Sequence, residues 1–235
     1  MQKDKKIRIQ KYLSDIGAMS RRAAEREIVA GNISVNGITS KLGDKIDPDI
    51  DAVLFGGMPV VSQNKKYYIL LNKPAGYITT AEDEKGRKTI YDIIPPELKK
   101  LKPVGRLDKD STGLIIMTND GELINEMTHP SIKVPKVYLV SINGKLTPEH
   151  GEKMYNGFEI ETDTGEKKMA YAQVLPIELG DKSSTLQVTL HQGINRQIRK
   201  MFAVLGFEVV SLKRVQHGTI TLEGLKKGQI KLKIR

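Results

Sequence analysis

The sequence predicts an α+β fold in two parts, a small domain followed by a larger one. The chain has 235 residues, about one and a half times an ordinary domain of roughly 150. A polar run, Ser62-Gln63-Asn64-Lys65-Lys66, sets a first segment apart from a new strand at Tyr67, which places the two domains at 1–62 and 66–235. Beyond that run, strand-like and helix-like stretches follow one another too irregularly for a doubly wound parallel sheet.

In the first segment Ile7, Ile9, Tyr12, Leu13 and Ile16 form one helical apolar face, which Gly17 closes. Ser20 then caps a second helix over 21–30 that stops at Gly31. Short strands follow at 33–35 and 52–55, the first ending on the Asn36-Gly37 turn signal and the second on Gly56-Gly57. In the larger part, apolar runs predict strands at 67–71, 113–117, 137–142, 170–175 and 186–190, and helical patterns cover 121–128, 148–156 and 195–205. There is no internal repeat and no low-complexity tract.

Composition removes several classes of function. The chain has no cysteine, so disulfides, thiolate zinc sites and thiol nucleophiles are all excluded. Its four histidines, His129, His150, His191 and His217, show no metal-ligand spacing, and no metal is expected. No apolar run approaches the roughly 18 residues that span a bilayer. The Met1-Gln2-Lys3-Asp4-Lys5-Lys6 start leads into no signal-peptide stretch, so the expected compartment is the cytoplasm. Lys plus Arg number 38 against 28 Asp plus Glu, a net charge of +10, which points to polyanionic partners. The excess is concentrated near the C-terminus, where residues 186–235 set ten basic groups against Glu208 and Glu223 alone.

Three stretches carry candidate chemistry, and each has a plainer reading beside the functional one. Arg21, Arg22 and Arg26 on the second helix, with Arg8 and Lys11 on the first, can present guanidinium and ammonium groups to phosphates, although Glu25 and Glu27 dilute the patch to something like an ordinary solvated face. The segment Pro103-Val104-Gly105-Arg106-Leu107-Asp108-Lys109-Asp110-Ser111-Thr112-Gly113-Leu114 brackets a polar loop between two glycines ahead of an apolar strand, a place to hold Asp108 or simply a solvated turn. In Gly193-Ile194-Asn195-Arg196-Gln197-Ile198-Arg199-Lys200-Met201-Phe202, a helix starting near Asn195 puts Arg196 and Lys200 on a basic face. Arg199 then falls at the edge of the apolar stripe, where it either snorkels to solvent or enters a partly buried ion pair.

The order of signals from Arg8 through Ser20-Arg21-Arg22 to Gly31-Asn32-Ile33-Ser34-Val35-Asn36-Gly37 resembles the αL RNA-binding domain first known from ribosomal small-subunit protein four, which docks on structured RNA mainly through shape and phosphates. Behind it, the Gly105-Arg106-Leu107-Asp108 segment, the Lys136-Val137-Tyr138-Leu139-Val140 strand and the Asn195-Arg196-Gln197-Ile198-Arg199 stretch together resemble the RsuA/RluB/RluE/RluF family of pseudouridine synthases. The likeness includes Leu70, Asn72-Lys73-Pro74-Ala75-Gly76 and the Leu212-Lys213-Arg214-Val215 tail. It is strongest to the RluF type, which acts on large-subunit ribosomal RNA, although where many relatives read Glu-Gly-Arg-Asn this chain reads Gln192-Gly193-Ile194-Asn195.

The resemblance implies a catalytic domain built on a mixed, mainly antiparallel sheet with flanking helices. It makes Asp108 the catalytic aspartate, Arg199 its ion-pair partner and Tyr138 the aromatic residue against the target base. Arg106 then fills the gap left by a flipped nucleotide and Leu212 lines the apolar side of the pocket, while the basic face of Arg196 and Lys200 is read as a phosphate contact. The implied partner is ribosomal RNA, 23S or its precursor particle, for a monomeric enzyme. Converting uridine to pseudouridine breaks N1–C1′ and joins C5 to C1′ without net redox change, so no cofactor is expected. Two other readings remain open on the residues: a non-catalytic RNA-binding or ribosome-assembly factor, and a glycosidase for which Asp110 is the one obvious second acid.

Overall fold

The computed structural model describes residues 6–60, 66–222 and 224–234. The polar run chosen as the linker lies outside them except for Lys66. The chain divides into two compact units, one made of the N-terminal segment through Tyr67 with Asn119–Gly121, the other of Tyr68–Thr118 and Glu122–Lys233. No helix among the described residues is long and apolar enough to cross a membrane.

The small unit runs β1 (Ile7–Arg8), α1 (Ile9–Asp15), α2 (Arg21–Val29), β2 (Ile33–Val35), β3 (Ile38–Thr39), β4 (Lys45–Ile46), β5 (Val53–Phe55) and β6 (Met58–Pro59). The Ser20 hydroxyl caps α2 by accepting the Ala23 amide. Ile9, Leu13, Ala24, Ile28, Ile33, Ile46 and Val53 close one buried core, and a fully buried side chain of this size contributes about 2 kcal/mol. One local expectation fails. Ile7 and Arg8 do not belong to the first helix but pair with Ile46 and Lys45 as a strand, so Arg8 stands at the extended N-cap of α1 rather than on its face. The backbone groups ahead of the helix find partners in that strand pair, and the helix starts only where they end.

The large unit contains β7 (Tyr67–Lys73), β8 (Lys102–Pro103), β9 (Thr112–Thr118), α3 (Gly121–Thr128), β10 (Lys136–Asn143), α4 (Pro148–Asn156), β11 (Phe158–Glu161), β12 (Lys167–Ala170), β13 (Gln173–Leu179), β14 (Ser183–Leu190), α5 (Gln197–Val204), β15 (Val209–His217), β16 (Ile220–Thr221) and β17 (Ile230–Ile234). The main sheet has the order β13-β14-β10-β15-β9-β7-β17, with β16 on β15 and β8 on β9. It is mixed and mainly antiparallel: β9 runs parallel to β15, whereas β10 pairs antiparallel with both β14 and β15 and β7 antiparallel with β9.

Burial follows position in the sheet. Residues 69–73 of β7 and 113–118 of β9 are buried without alternation, as strands covered on both faces are. β10 and β14 alternate, burying Tyr138, Val140 and Ile142 on one and Leu186, Val188 and Leu190 on the other. The strand expected at 170–175 is really two. β12 ends at Ala170 and β13 starts at Gln173, because the amides of Tyr171 and Ala172 bond to the Gln192 side chain and the Met154 carbonyl rather than to a strand neighbour.

Candidate active site

Asp108 sits in the loop between β8 and β9, and main-chain bonds hold that loop. The Thr79 hydroxyl accepts the Leu107 amide at 3.2 Å and donates to the Leu107 carbonyl at 2.9 Å. The Gly76 amide binds the Lys109 carbonyl at 2.7 Å, and the Ser111 amide binds the Asp108 carbonyl at 3.2 Å. Beneath the loop lies Lys73, fully buried at 0 % exposure. Its ammonium donates to the carbonyls of Ser111 at 2.6 Å, Pro74 at 3.1 Å and Lys109 at 3.3 Å. Burial pulls this lysine down to about 8, while Asp110 and Asp108 pull it back up. Gly113 ends the loop at φ +101°, its Cα pressed against β15 so closely that a Cβ there would lie 2.2 Å from the Arg214 carbonyl oxygen.

The facing cations arrive through a different device. Helix α5 begins at Gln197, two residues later than the sequence pattern suggests, because Arg196 takes a left-handed conformation at φ +54° and becomes its N-cap. That turn costs a non-glycine residue about 1 kcal/mol or more and swings Arg196 towards the loop. Its Nη1 lies 3.4 Å from Asp110 Oδ1 and 3.8 Å from Asp108 Oδ2.

Arg199 does not pair with Asp108 as expected. Its Nη1 is fixed on the Val209 carbonyl at 2.9 Å, which leaves Nη2 for a carboxylate, and that carboxylate is Asp110, at 3.0 Å. Asp110 therefore bridges two arginines. Lys200 is not an open phosphate-facing cation either: it binds Asp163 at 2.6 Å, and Asn195 holds the same carboxylate. Lys200, then Asn195 and Arg196, hold Asp163 below the usual carboxylate range.

These elements open onto a cleft of about 850 Å³ whose lining includes Arg106, Asp108, Tyr138, Arg196 and Leu212. Arg199 and Lys200 are outside that lining. Tyr138 and Leu212 are buried at 8 % and 7 %. Tyr138 on β10 stands opposite Arg214 on β15 and Val188 on β14. Five lining residues are cationic, namely Arg106, Lys133, Lys136, Arg196 and Arg214, against the single carboxylate of Asp108, and such a balance attracts a polyanion and repels a cationic partner. Among the described residues no group of His, Asp or Glu is arranged to hold a metal ion. On the small unit Arg8, Arg21, Arg22 and Arg26 are exposed, while Lys11 is taken up by Asp15 one turn away.

Sequence reading missed Lys73, Asp163 and the structural part of Asp110. A lysine that ends a continuously apolar strand just before proline was the one signal for Lys73. No signal in the sequence points from Asp163, in the β11–β12 turn, to Lys200.

A cation-rich cleft on a mixed sheet, with one loop-borne aspartate in its lining, suits an enzyme that works on a polyanionic substrate. The chain belongs to the family of RNA pseudouridylate synthases, which its residues 67–204 match. It is 40 % identical over 225 residues to an uncharacterised RNA pseudouridine synthase of Aquifex aeolicus, covering 95 % of this chain and 88 % of that one. It is 37 % identical to ribosomal large subunit pseudouridine synthase B of Bacillus subtilis, covering 94 % and 89 %, and 36 % identical to the dual-specificity RNA pseudouridine synthase RluF of Escherichia coli, covering 96 % and 75 %. A crystal structure of a pseudouridylate synthase superposes over 96 % of this chain and 95 % of its own with a TM-score of 0.67 at 28 % identity.

Proposed function

We propose that this protein converts a specific uridine of large-subunit ribosomal RNA to pseudouridine, with Asp108 as the reacting carboxylate. The observation that carries this reading is a lone carboxylate in a cleft whose other charged lining residues are all cations and which also holds Tyr138 and Leu212. The Bacillus subtilis relative named as a ribosomal large subunit pseudouridine synthase supports the substrate.

In this reading the target nucleotide leaves its helix, because the glycosidic bond of a stacked base is out of reach. Its uracil lies against the Tyr138 ring, with Leu212 on the apolar side and Arg106 entering the space it vacates. The Asp108 carboxylate meets the sugar or base while N1–C1′ breaks. The uracil turns, C5 joins C1′, the proton on C5 departs and N1 gains one, so atoms and electrons balance without an outside reagent. Arg196 is the cation that faces Asp108, and Arg199 acts through Asp110 by holding the bridge that positions Arg196. The segment 1–62 serves as an αL-type domain that grips structured RNA through Arg8, Arg21, Arg22 and Arg26, with Lys11 joining when it leaves Asp15. The catalytic domain spans 66–235, and the protein acts as a cytoplasmic monomer.

The deciding experiment maps pseudouridine in ribosomal RNA from cells with and without the gene, then complements with Asp108→Asn. One missing pseudouridine, restored by wild type and not by the Asn variant, is the expected result. Restoration by Asp108→Asn overturns the assignment, and an unchanged map overturns the substrate.

A further inference from the structure

The floor of the cleft holds a buried cation without a counter-charge. Arg214 is 1 % exposed. Among the described residues its guanidinium makes one hydrogen bond, from Nε to the Leu114 carbonyl at 2.8 Å, and its Nη2 is buried without a partner. The one carboxylate that lines the same cleft, Asp108, faces Arg196. A buried guanidinium with one neutral acceptor costs far more than that bond gives back.

What surrounds Arg214 makes the deficit worse. Lys136 lies near enough that Arg214 helps hold it below the ordinary lysine range, after burial itself. The Lys136 ammonium donates to the Val134 carbonyl at 3.3 Å, leaving further protons unused. His217, opposite Lys136 in the β10–β15 register, is kept neutral by burial and by the same two cations. Lys136, Tyr138 and Arg214 all line the cleft.

We infer that Arg214 and Lys136 form a phosphate subsite, and that its occupant is the phosphodiester attached to the uridine held against Tyr138; this rests on the reading of the cleft given above. A uracil carbonyl has no net charge and would leave both cations uncompensated. A phosphodiester brings one negative charge and two free oxygens, which suit a planar fork on one side and an ammonium on the other. The pair thus fixes the nucleotide by its backbone while Tyr138 takes its base.

The test titrates the full chain with uridine, uridine 3′-monophosphate and uridine 5′-monophosphate, using ligand-observed NMR, for wild type, Lys136→Met and Arg214→Met. One monophosphate is expected to bind at least about tenfold more tightly than uridine, and that preference should vanish in both variants. Arg214 is buried deeply enough that its variant can fail to fold, in which case half-exposed Lys136→Met decides. No preference in wild type, whether all three ligands bind alike or none binds, overturns the subsite. So does a Lys136→Met protein that keeps the full preference, or one that loses uridine and monophosphate equally. The same preparations are assayed for pseudouridine in ribosomal RNA transcripts. Pseudouridine without phosphate preference rejects the subsite alone, and phosphate preference without pseudouridine rejects the activity while the anion site stands.

Discussion

The loop that carries Asp108 and the turn that carries Arg196 and Arg199 meet in ion pairs, yet they are held by different kinds of bond. Main-chain hydrogen bonds, the Thr79 hydroxyl and a buried lysine fix the loop. Carboxylates fix the turn, chiefly the half-exposed Asp110. A carboxylate on such a loop is held by carbonyl-accepting bonds that RNA phosphates, being acceptors only, cannot replace. Arginines held by exposed carboxylates can be handed to phosphates, since one anion replaces another at small cost. One side of the site is built rigid and the other exchangeable.

Variants of the rigid side should cost most. Gly113→Ala places a methyl group against the Arg214 backbone, and we expect a loss of about 3 kcal/mol or more in denaturant unfolding; a variant within about 1 kcal/mol of wild type would show that the strand contact yields easily.

His217 lies under the start of this loop, its ring 3.9 Å from where a Cβ on Gly105 would stand. Burial, with Arg214 and Lys136, holds it down to about 3, so it is neutral in the fold but takes up a proton in the unfolded chain below its ordinary value near 6.5. Stability should therefore fall as pH drops from about 6.5 to 3, by up to about 1.4 kcal/mol per pH unit from this group. His217→Gln should remove that contribution, and equal acid slopes for the two proteins would contradict a neutral buried histidine.

Lys73→Met strands the carbonyls of Ser111 and Lys109, at a cost of about 2 kcal/mol, and should lower single-turnover pseudouridine formation without changing RNA affinity. Retention of the full rate would show that the loop keeps its shape unaided.

On the exchangeable side the effects on stability should be smaller. Asp110→Asn and Arg199→Lys are each expected to change unfolding by less than about 1 kcal/mol. Both should still slow single-turnover chemistry by tenfold or more, because a neutral amide or a point charge cannot keep the two-arginine bridge. A variant that loses only affinity would mark the bridge as part of the RNA-binding surface. Smallest of all, Lys200→Ala should leave chemistry intact and flatten the salt dependence of RNA binding by up to about one unit of slope; an unchanged slope would mean that Asp163 never releases it.

Most of the elements were legible in the sequence because apolar spacing reports burial directly. The helices at 121–128 and 148–156 form as α3 and α4, and the two glycines around Asp108 do take positive φ. Polar residues whose surroundings come from distant chain were not legible. Lys73 reads as an ordinary lysine until a loop some forty positions later closes over it. Asp110 reads as a spare acid until the left-handed turn at Arg196 brings two guanidinium groups to it. The αL backbone at Arg196 has no glycine or asparagine to announce it. The pairing of Arg199 with Asp108 is implied by the family resemblance, and nothing in the sequence shows the Val209 carbonyl that fixes Arg199 Nη1 and leaves Nη2 to Asp110.

The parallel contact of β9 with β15 sets Gly113 beside Arg214, about a hundred residues further along. Contacts that distant form slowly, because the intervening chain must surrender its freedom before the pairing gives anything back. During synthesis the aspartate loop therefore leaves the ribosome long before the strand that seats it, and a complete cleft exists only once β15 is available. Until then the positively charged chain can meet RNA but cannot modify it.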